Sequence, residues 1–266
     1  MRKTKICTLA LCACMALGVF AACDDTNSTT TTTESSASDS STEAPIVFTD
    51  EPTLATETVK ETAEKVVFEG DSQINANTFI TNFTEIYFPD YSKETATLEQ
   101  YLNFAHIHFK VNSYDKIKYE ILDECDYETI AFSDIMSTVG KYFSVGISED
   151  ECKQLPAPSK DVQGPAYKDG RIWFRGGAGE SYSSIGIVDY ALNSGDGNLT
   201  LEFTIYQIKW EVYNELRGDD IKKYYKLTPD QAAADSTLEK VGTGTADVGV
   251  GQSGSYFLLN YKTKSV

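Results

Sequence analysis

Leu199-Thr200-Leu201-Glu202-Phe203-Thr204-Ile205-Tyr206-Gln207-Ile208 is the stretch whose reading decides the fold. Leu201, Phe203 and Ile205 alternate with Glu202, Thr204 and Tyr206. Successive side chains of a strand point to opposite faces, so this segment presents one apolar face and one polar face. That is how a strand reads when its antiparallel sheet rests on a core by one side. Residues 184–192 alternate in the same way, and Asn193-Ser194-Gly195-Asp196-Gly197-Asn198 supplies the turn between them. Two later strands are predicted over 238–248 and 255–261, after a short helical turn opened by Pro229. Upstream, Lys168-Asp169-Gly170 predicts a tight hairpin between Ala166-Tyr167 and Arg171–Arg175.

The chain ahead of these strands has a different period. Residues 77–88 place Phe79, Ile80, Phe83, Ile86 and Tyr87 at helical spacing, and Pro89 ends the run. Residues 93–111 carry Leu98, Tyr101, Leu102, Ala105 and Phe109 on one stripe, widened by Phe104 and Ile107. Short strands are predicted over 116–122 and 127–132 around an acidic turn, and Ser133 is expected to cap a third helix over 134–143. Helices followed by long antiparallel strands predict an α+β domain over 70–266, with three N-terminal helices packed on a curved antiparallel sheet.

The N-terminus predicts where the domain works. Arg2, Lys3 and Lys5 precede an apolar run over 6–20 that ends in Phe20-Ala21-Ala22-Cys23. As a helix that run spans roughly 22 Å, short of the roughly 30 Å of a bilayer core. A cleaved export signal over 1–22 is therefore expected. The pattern resembles the lipobox of bacterial lipoproteins, with Phe20 where that family carries a smaller aliphatic residue. The resemblance implies that Cys23 is lipidated and becomes the mature N-terminus on the outer face of the cell membrane. An ordinary secretory cleavage is the alternative. Residues 23–69 begin with a Ser/Thr-rich stretch that includes Thr29-Thr30-Thr31-Thr32-Thr33, with no basic or aromatic residue before Ala44. Such a segment buries too little apolar surface to offset its ordering entropy, so it is read as a disordered acidic tether.

The chain carries a net charge of −17, and removing the leader with its three cations takes it to −20. That balance argues against nucleic acid, which requires a basic face. Cys7, Cys12, Cys14 and Cys23 belong to the leader and its cleavage site, which leaves Cys125 and Cys152 in an exported domain. Both have polar neighbours, and in an oxidising compartment they are expected to pair, closing a loop of 28 residues. Such a bridge would stabilise the fold by about 3–4 kcal/mol. No metal ligand set and no cofactor motif is present in the sequence.

The order of elements resembles the NTF2-like (cystatin-like) superfamily, in which a curved sheet wraps helices into a cone. Phe79-Ile80-Thr81-Asn82-Phe83-Thr84-Glu85 and Lys168-Asp169-Gly170 ahead of an aromatic strand also look like the surface lipoproteins of clostridia-type Gram-positive bacteria. That second resemblance implies no activity. His106 and His108 stand two apart and point roughly 200° away from each other on a helix, so they cannot share a metal there. Gly179-Glu180-Ser181-Tyr182-Ser183 falls one glycine short of a nucleophile elbow. The remaining candidate is Arg171, Trp173 and Arg175, which share one strand face and offer an aromatic platform between guanidinium groups for a carboxylate or a sugar. Internal pairing of the two arginines is the competing expectation. These readings converge on a non-catalytic binding or interaction module for an envelope protein, peptide or sugar. The alternatives are a cone enzyme using His106, Tyr101 or a carboxylate, or a structural partner of another envelope protein.

Overall fold

The computed structural model describes residues 63–177, 183–193, 197–251 and 254–266. The export signal, Cys23, the tether as far as residue 62 and Gly179-Glu180-Ser181-Tyr182 lie outside the described residues.

The domain is mixed α and β with antiparallel sheets. A short strand β1 (Glu64–Val66) leads to α1 (Asp71–Thr84), β2 (Tyr91–Ser92) and α2 (Leu98–Asn112). Next come β3 (Lys118–Leu122), β4 (Cys125–Ala131), α3 (Phe132–Phe143) and α4 (Glu149–Cys152). The hairpin β5 (Ala166–Lys168) and β6 (Arg171–Arg175) precedes β7 (Ser184–Asn193) and β8 (Asn198–Ile208). Then α5 (Trp210–Tyr213), a 3₁₀ segment (Gly218–Lys226) and α6 (Pro229–Ala234) lead to β9 (Leu238–Val250) and β10 (Tyr256–Ser265).

The strands form two sheets where the sequence predicts one. The larger runs β1-β7-β8-β9-β10-β2 and the smaller β3-β4-β6-β5. Two tight hairpins build the smaller sheet. Asp123 and Glu124 turn β3 into β4, and Asp169 and Gly170 turn β5 into β6, all four with positive φ. That left-handed pair matches the twist of the flanking strands. A third helix follows β4 as expected, but without the Ser133 cap. Here the chain passes from strand to helix with no loop, so the cap position falls on Ala131. The first strand, β1, pairs with the end of β7 inside the stretch expected to be tether. Backbone pairing of three residues leaves no side-chain pattern to read.

The main core joins α1, α2 and α3 to the inner faces of both sheets. Phe83 is the hub, with Phe88, Phe104, Tyr142, Phe143 and Tyr261 around it at centroid distances of 5.1–6.0 Å. α1 lies so close on β7 that a Cβ at Gly186 would stand 2.4 Å from Ile80 Cγ2, which is why a glycine occupies that strand position. A bulge between Val188 and Tyr190 keeps β7 in step, so that Val188 and Ala191 both face this core. Ile185, Ile187, Tyr206 and Ile208 face the other way and pack with Tyr224, Ala232 and Leu238. The segment between β8 and β9 therefore covers the outer face of β7 and β8 and brings the 3₁₀ segment round to α1.

Candidate functional site

α1 builds the site. Phe79, Ile80, Thr81, Asn82, Phe83, Thr84, Glu85 and Ile86 are all buried, so the polar residues among them must find partners inside the protein. Thr81 Oγ1 accepts from the Gly186 N–H at 3.1 Å. Asn82 Nδ2 donates to the Thr78 carbonyl at 2.6 Å, and its Oδ1 accepts from the Tyr142 hydroxyl at 3.1 Å. Asn77 does the most: its Nδ2 donates to the carbonyls of Tyr225 and Leu227, at 3.0 and 2.9 Å. Its Oδ1 accepts from Val188 N and from Gln73 Nε2, each at 2.8 Å. One amide thus ties α1 to β7 and to the end of the 3₁₀ segment.

Between α1, the last turn of α2, α3 and residues 213–225 lies a cleft of about 840 Å³. Glu85, the C-terminal cap of α1, lines it with only 2 % of its surface exposed. Its Oε1 accepts from Asn112 Nδ2 at 2.9 Å, and Tyr225 also bonds this carboxyl. Burial pushes its pKa up to about 7, and the bonds from Asn112 and Tyr225 only partly oppose that. A helix C-terminus presents carbonyl oxygens, which disfavours a carboxylate there as well. Near neutral pH this carboxyl is poised between donor and acceptor.

Asn112 also bonds His108, with 3.2 Å between its Nδ2 and the ring Nδ1. An amide nitrogen can only donate, so Nδ1 accepts and the neutral ring carries its proton on Nε2. Burial, with the Lys141 charge behind it, lowers the His108 pKa to about 4. The ring lies parallel to Phe104 at 5.6 Å and edge-on to Tyr142 at 4.9 Å. Lys141 Nζ stands 4.7 Å above the Tyr142 ring centre and donates to its hydroxyl at 3.2 Å. The cleft therefore holds a chain of proton-bearing groups from Tyr225 through Glu85 and Asn112 to His108. Lys110, Lys141, Arg217 and Lys222 line it as well.

The residues singled out from sequence stand elsewhere. His106 turns to the smaller sheet, where its Nε2 meets Glu128 Oε2 at 2.6 Å and its ring stacks on Phe174 at 4.0 Å. Lys110 Nζ reaches the other oxygen of Glu128 at 3.2 Å. Burial raises the Glu128 pKa, but the His106 bond and the His106 and Lys110 charges outweigh it and hold the carboxyl below its ordinary value. Tyr101 bonds the Tyr91 hydroxyl at 3.2 Å inside the core. Neither His106 nor Tyr101 lines the cleft; the acid/base groups there are Glu85 and His108.

Arg171, Trp173 and Arg175 do share a face of the smaller sheet, and their own contacts occupy it. Trp173 is buried edge-to-face with Tyr127 at 5.5 Å, and its Nε1 donates to the Lys168 carbonyl at 3.3 Å. Arg171 donates to Thr129 Oγ1 and to the Thr129 carbonyl, at 2.8 and 2.6 Å. Arg175 donates to the Tyr127 hydroxyl at 3.3 Å and lies over that ring. The partners are a threonine, a backbone carbonyl, a tyrosine and the Cys125 side chain, and none is a carboxylate. Cys125 and Cys152 are both free thiols. Cys125 packs with Tyr127 and Trp173, whereas Cys152 is part of the main core with Ile130, Ile172 and Phe174. The side chains of one strand alternate between faces, so the smaller sheet itself separates the two thiols. Burial raises the Cys152 thiol to about 11, and Glu151 and Glu149 add to that.

Among the described residues no group of His, Cys, Asp and Glu side chains could hold a metal ion, and no helix is long and apolar enough to cross a membrane. Compared with protein-family models, with curated proteins and with solved structures, the chain matches none. The signal that points to Glu85 in the sequence is a lone carboxyl within Phe83-Thr84-Glu85-Ile86-Tyr87-Phe88, where an apolar residue fits a core helix better. Asn112, Tyr142 and Tyr225 carry no such signal, because they meet Glu85 only when distant segments come together.

Proposed function

We propose that this chain is a lipid-anchored extracytoplasmic surface protein whose folded part binds a small ligand in the Glu85 cleft without transforming it. The observation that carries the binding half is a roomy polar cleft with a buried, half-titrated carboxyl among convergent donors. Large pockets with a few placed polar groups and a perturbed acid are where ligands bind. Support for the anchor is Phe20-Ala21-Ala22-Cys23 with the Ser/Thr tether behind it, and intact mass of membrane-extracted protein should show a diacylglyceryl group on Cys23. The helices packed ahead of the long antiparallel strands support an NTF2-like cone as the finer form of the fold.

A thermal-shift screen of cell-wall sugars, peptides and small acids tests the cleft. Compounds that stabilise the wild-type chain should fail to stabilise Asn214→Trp, which places a large side chain at an exposed position lining the cleft. Stabilisation that survives this substitution would move the binding site elsewhere. The Glu85 pKa near 7 favours one further reading, an enzyme in which this carboxyl relays a proton to or from a bound substrate. Conversion of a bound compound by wild type and not by Glu85→Gln would establish that reading and displace the non-catalytic one.

A further inference from the structure

Forty acidic residues face twenty-three basic ones in this chain, yet the cleft inverts that balance. Four cations line it, Lys110, Lys141, Arg217 and Lys222, against the single carboxyl of Glu85. Lys110 is offset by Glu128, which does not line the cleft. Lys141 and Arg217 are held by groups that leave their charge in place. Lys141 rests on the ring and hydroxyl of Tyr142. Arg217 Nη1 donates to the carbonyls of Asn214 and Leu216, both at 2.8 Å, which fixes the guanidinium against the wall. Both side chains are exposed, and among the described residues neither forms a salt bridge.

A concave site lined by one sign of charge concentrates ions of the other sign, and low-dielectric walls strengthen the effect. Two segments distant in sequence deliver these cations to one place: the end of α3, and the loop after α5 that runs into the 3₁₀ segment. Neutral donors and acceptors line the cleft too, among them Asn82, Asn112, Tyr142 and Tyr225. Resting on the binding reading above, we infer that the cleft selects small anionic ligands, with a carboxylate or phosphate group set against Lys141 and Arg217 and an uncharged polar body against Asn82 and Asn112.

The test uses the full chain in detergent and probe pairs that differ only in the anion. Glucuronate and glucose 6-phosphate are compared with glucose, and N-acetylmuramic acid with N-acetylglucosamine, at constant ionic strength. At least one anionic member should bind the wild type about tenfold more tightly than its neutral counterpart. The exposed double variant Lys141→Glu/Arg217→Glu should lose that preference, while Lys118→Glu on β3, outside the cleft, should keep it. Inorganic phosphate run alongside distinguishes recognition of the anion alone from recognition of the whole molecule: competition by phosphate supports a phosphate seat, and its absence supports a carboxylate seat. Neutral members binding as well as anionic ones, or an unchanged preference in the double variant, would overturn the anion inference and leave the binding reading standing. No binding of any probe, charged or neutral, would overturn both.

Discussion

His106 and His108 stand two residues apart on α2 and serve opposite regions of the molecule. The His106 side faces the smaller sheet, where every strong group already has a partner: Glu128 has His106 and Lys110, Arg171 has Thr129, and Trp173 has the Lys168 carbonyl. The His108 side faces the cleft, where a neutral ring and a carboxyl titrating near 7 meet through one exposed amide, Asn112. Both regions are rich in polar and aromatic side chains, and composition does not tell them apart. In the first, Glu128 is ion-paired and the arginines are hydrogen-bonded to Thr129 and Tyr127; in the second, burial shifts titrations and open volume remains beside the groups. A paired group has little left to offer a ligand, so the second region is where function is to be sought.

The largest effect that would test this contrast is at Trp173. If the smaller-sheet face is structural, Trp173→Ala should cost about 3–5 kcal/mol in chemical denaturation, as for other buried aromatics, with or without added ligand. An unchanged apoprotein would return that face to the list of binding surfaces.

The second effect is a pair of opposed pH slopes from the cleft. The Glu85 pKa is raised in the folded state from 4.5 to about 7, so its contribution is fully present below pH 4.5 and is lost as pH rises toward 7. The His108 pKa is lowered from 6.5 to about 4, so its contribution is present above pH 6.5 and is lost as pH falls toward 4. Each amounts to about 3 kcal/mol, and between pH 4.5 and 6.5 the two oppose each other. Relative to wild type, Glu85→Gln should therefore gain stability as pH rises through this interval, and His108→Gln should lose it. Denaturation midpoints measured across the interval check the sign, and parallel curves would mean that the cleft groups are solvated after all.

A smaller change is expected at His106. Replacing it by Gln leaves Glu128 buried with Lys110 as its one remaining cation, at a cost of about 1–3 kcal/mol, the usual penalty for an under-bonded buried group. Ligand binding should be unchanged. The smallest effect belongs to Asn112→Ala, an exposed site where stability should move by about 0.5 kcal/mol. The bond from Asn112 lowers the Glu85 pKa, so its loss should raise the carboxyl above 7, visible in an NMR titration. A fall instead would show that Asn112 does not donate to Glu85.

Local pattern carried most of the fold. Alternation at Leu201, Phe203 and Ile205 located β8, and Lys168-Asp169-Gly170 marked the β5–β6 hairpin with its two left-handed residues. The third-helix boundary was lost because the capping serine became the second helical residue once β4 ran straight into α3. The paired-cysteine expectation rested on polar neighbours along the chain, whereas Cys152 is buried at the end of a four-residue helix by groups far away in sequence. Arg171, Trp173 and Arg175 were rightly placed on one face, but what covers that face lies on β4, some forty residues earlier.

By itself the sequence determined the leader pattern, the charge, the periods of the helices and strands, and the tight turns, because each is set by residues within a few positions of one another. Tertiary structure alone decided that there are two sheets, that His106 meets a carboxylate while His108 meets an amide, and that Glu85 meets Asn112 and Tyr225 beside Lys141 and Arg217. Burial and charge act through space, and the groups that shift Glu85 are drawn from α1, the end of α2 and the 3₁₀ segment. Nothing along the chain announces that meeting, since the lone carboxyl of Glu85 stands out in its apolar run but Asn112 and Tyr225 carry no matching signal.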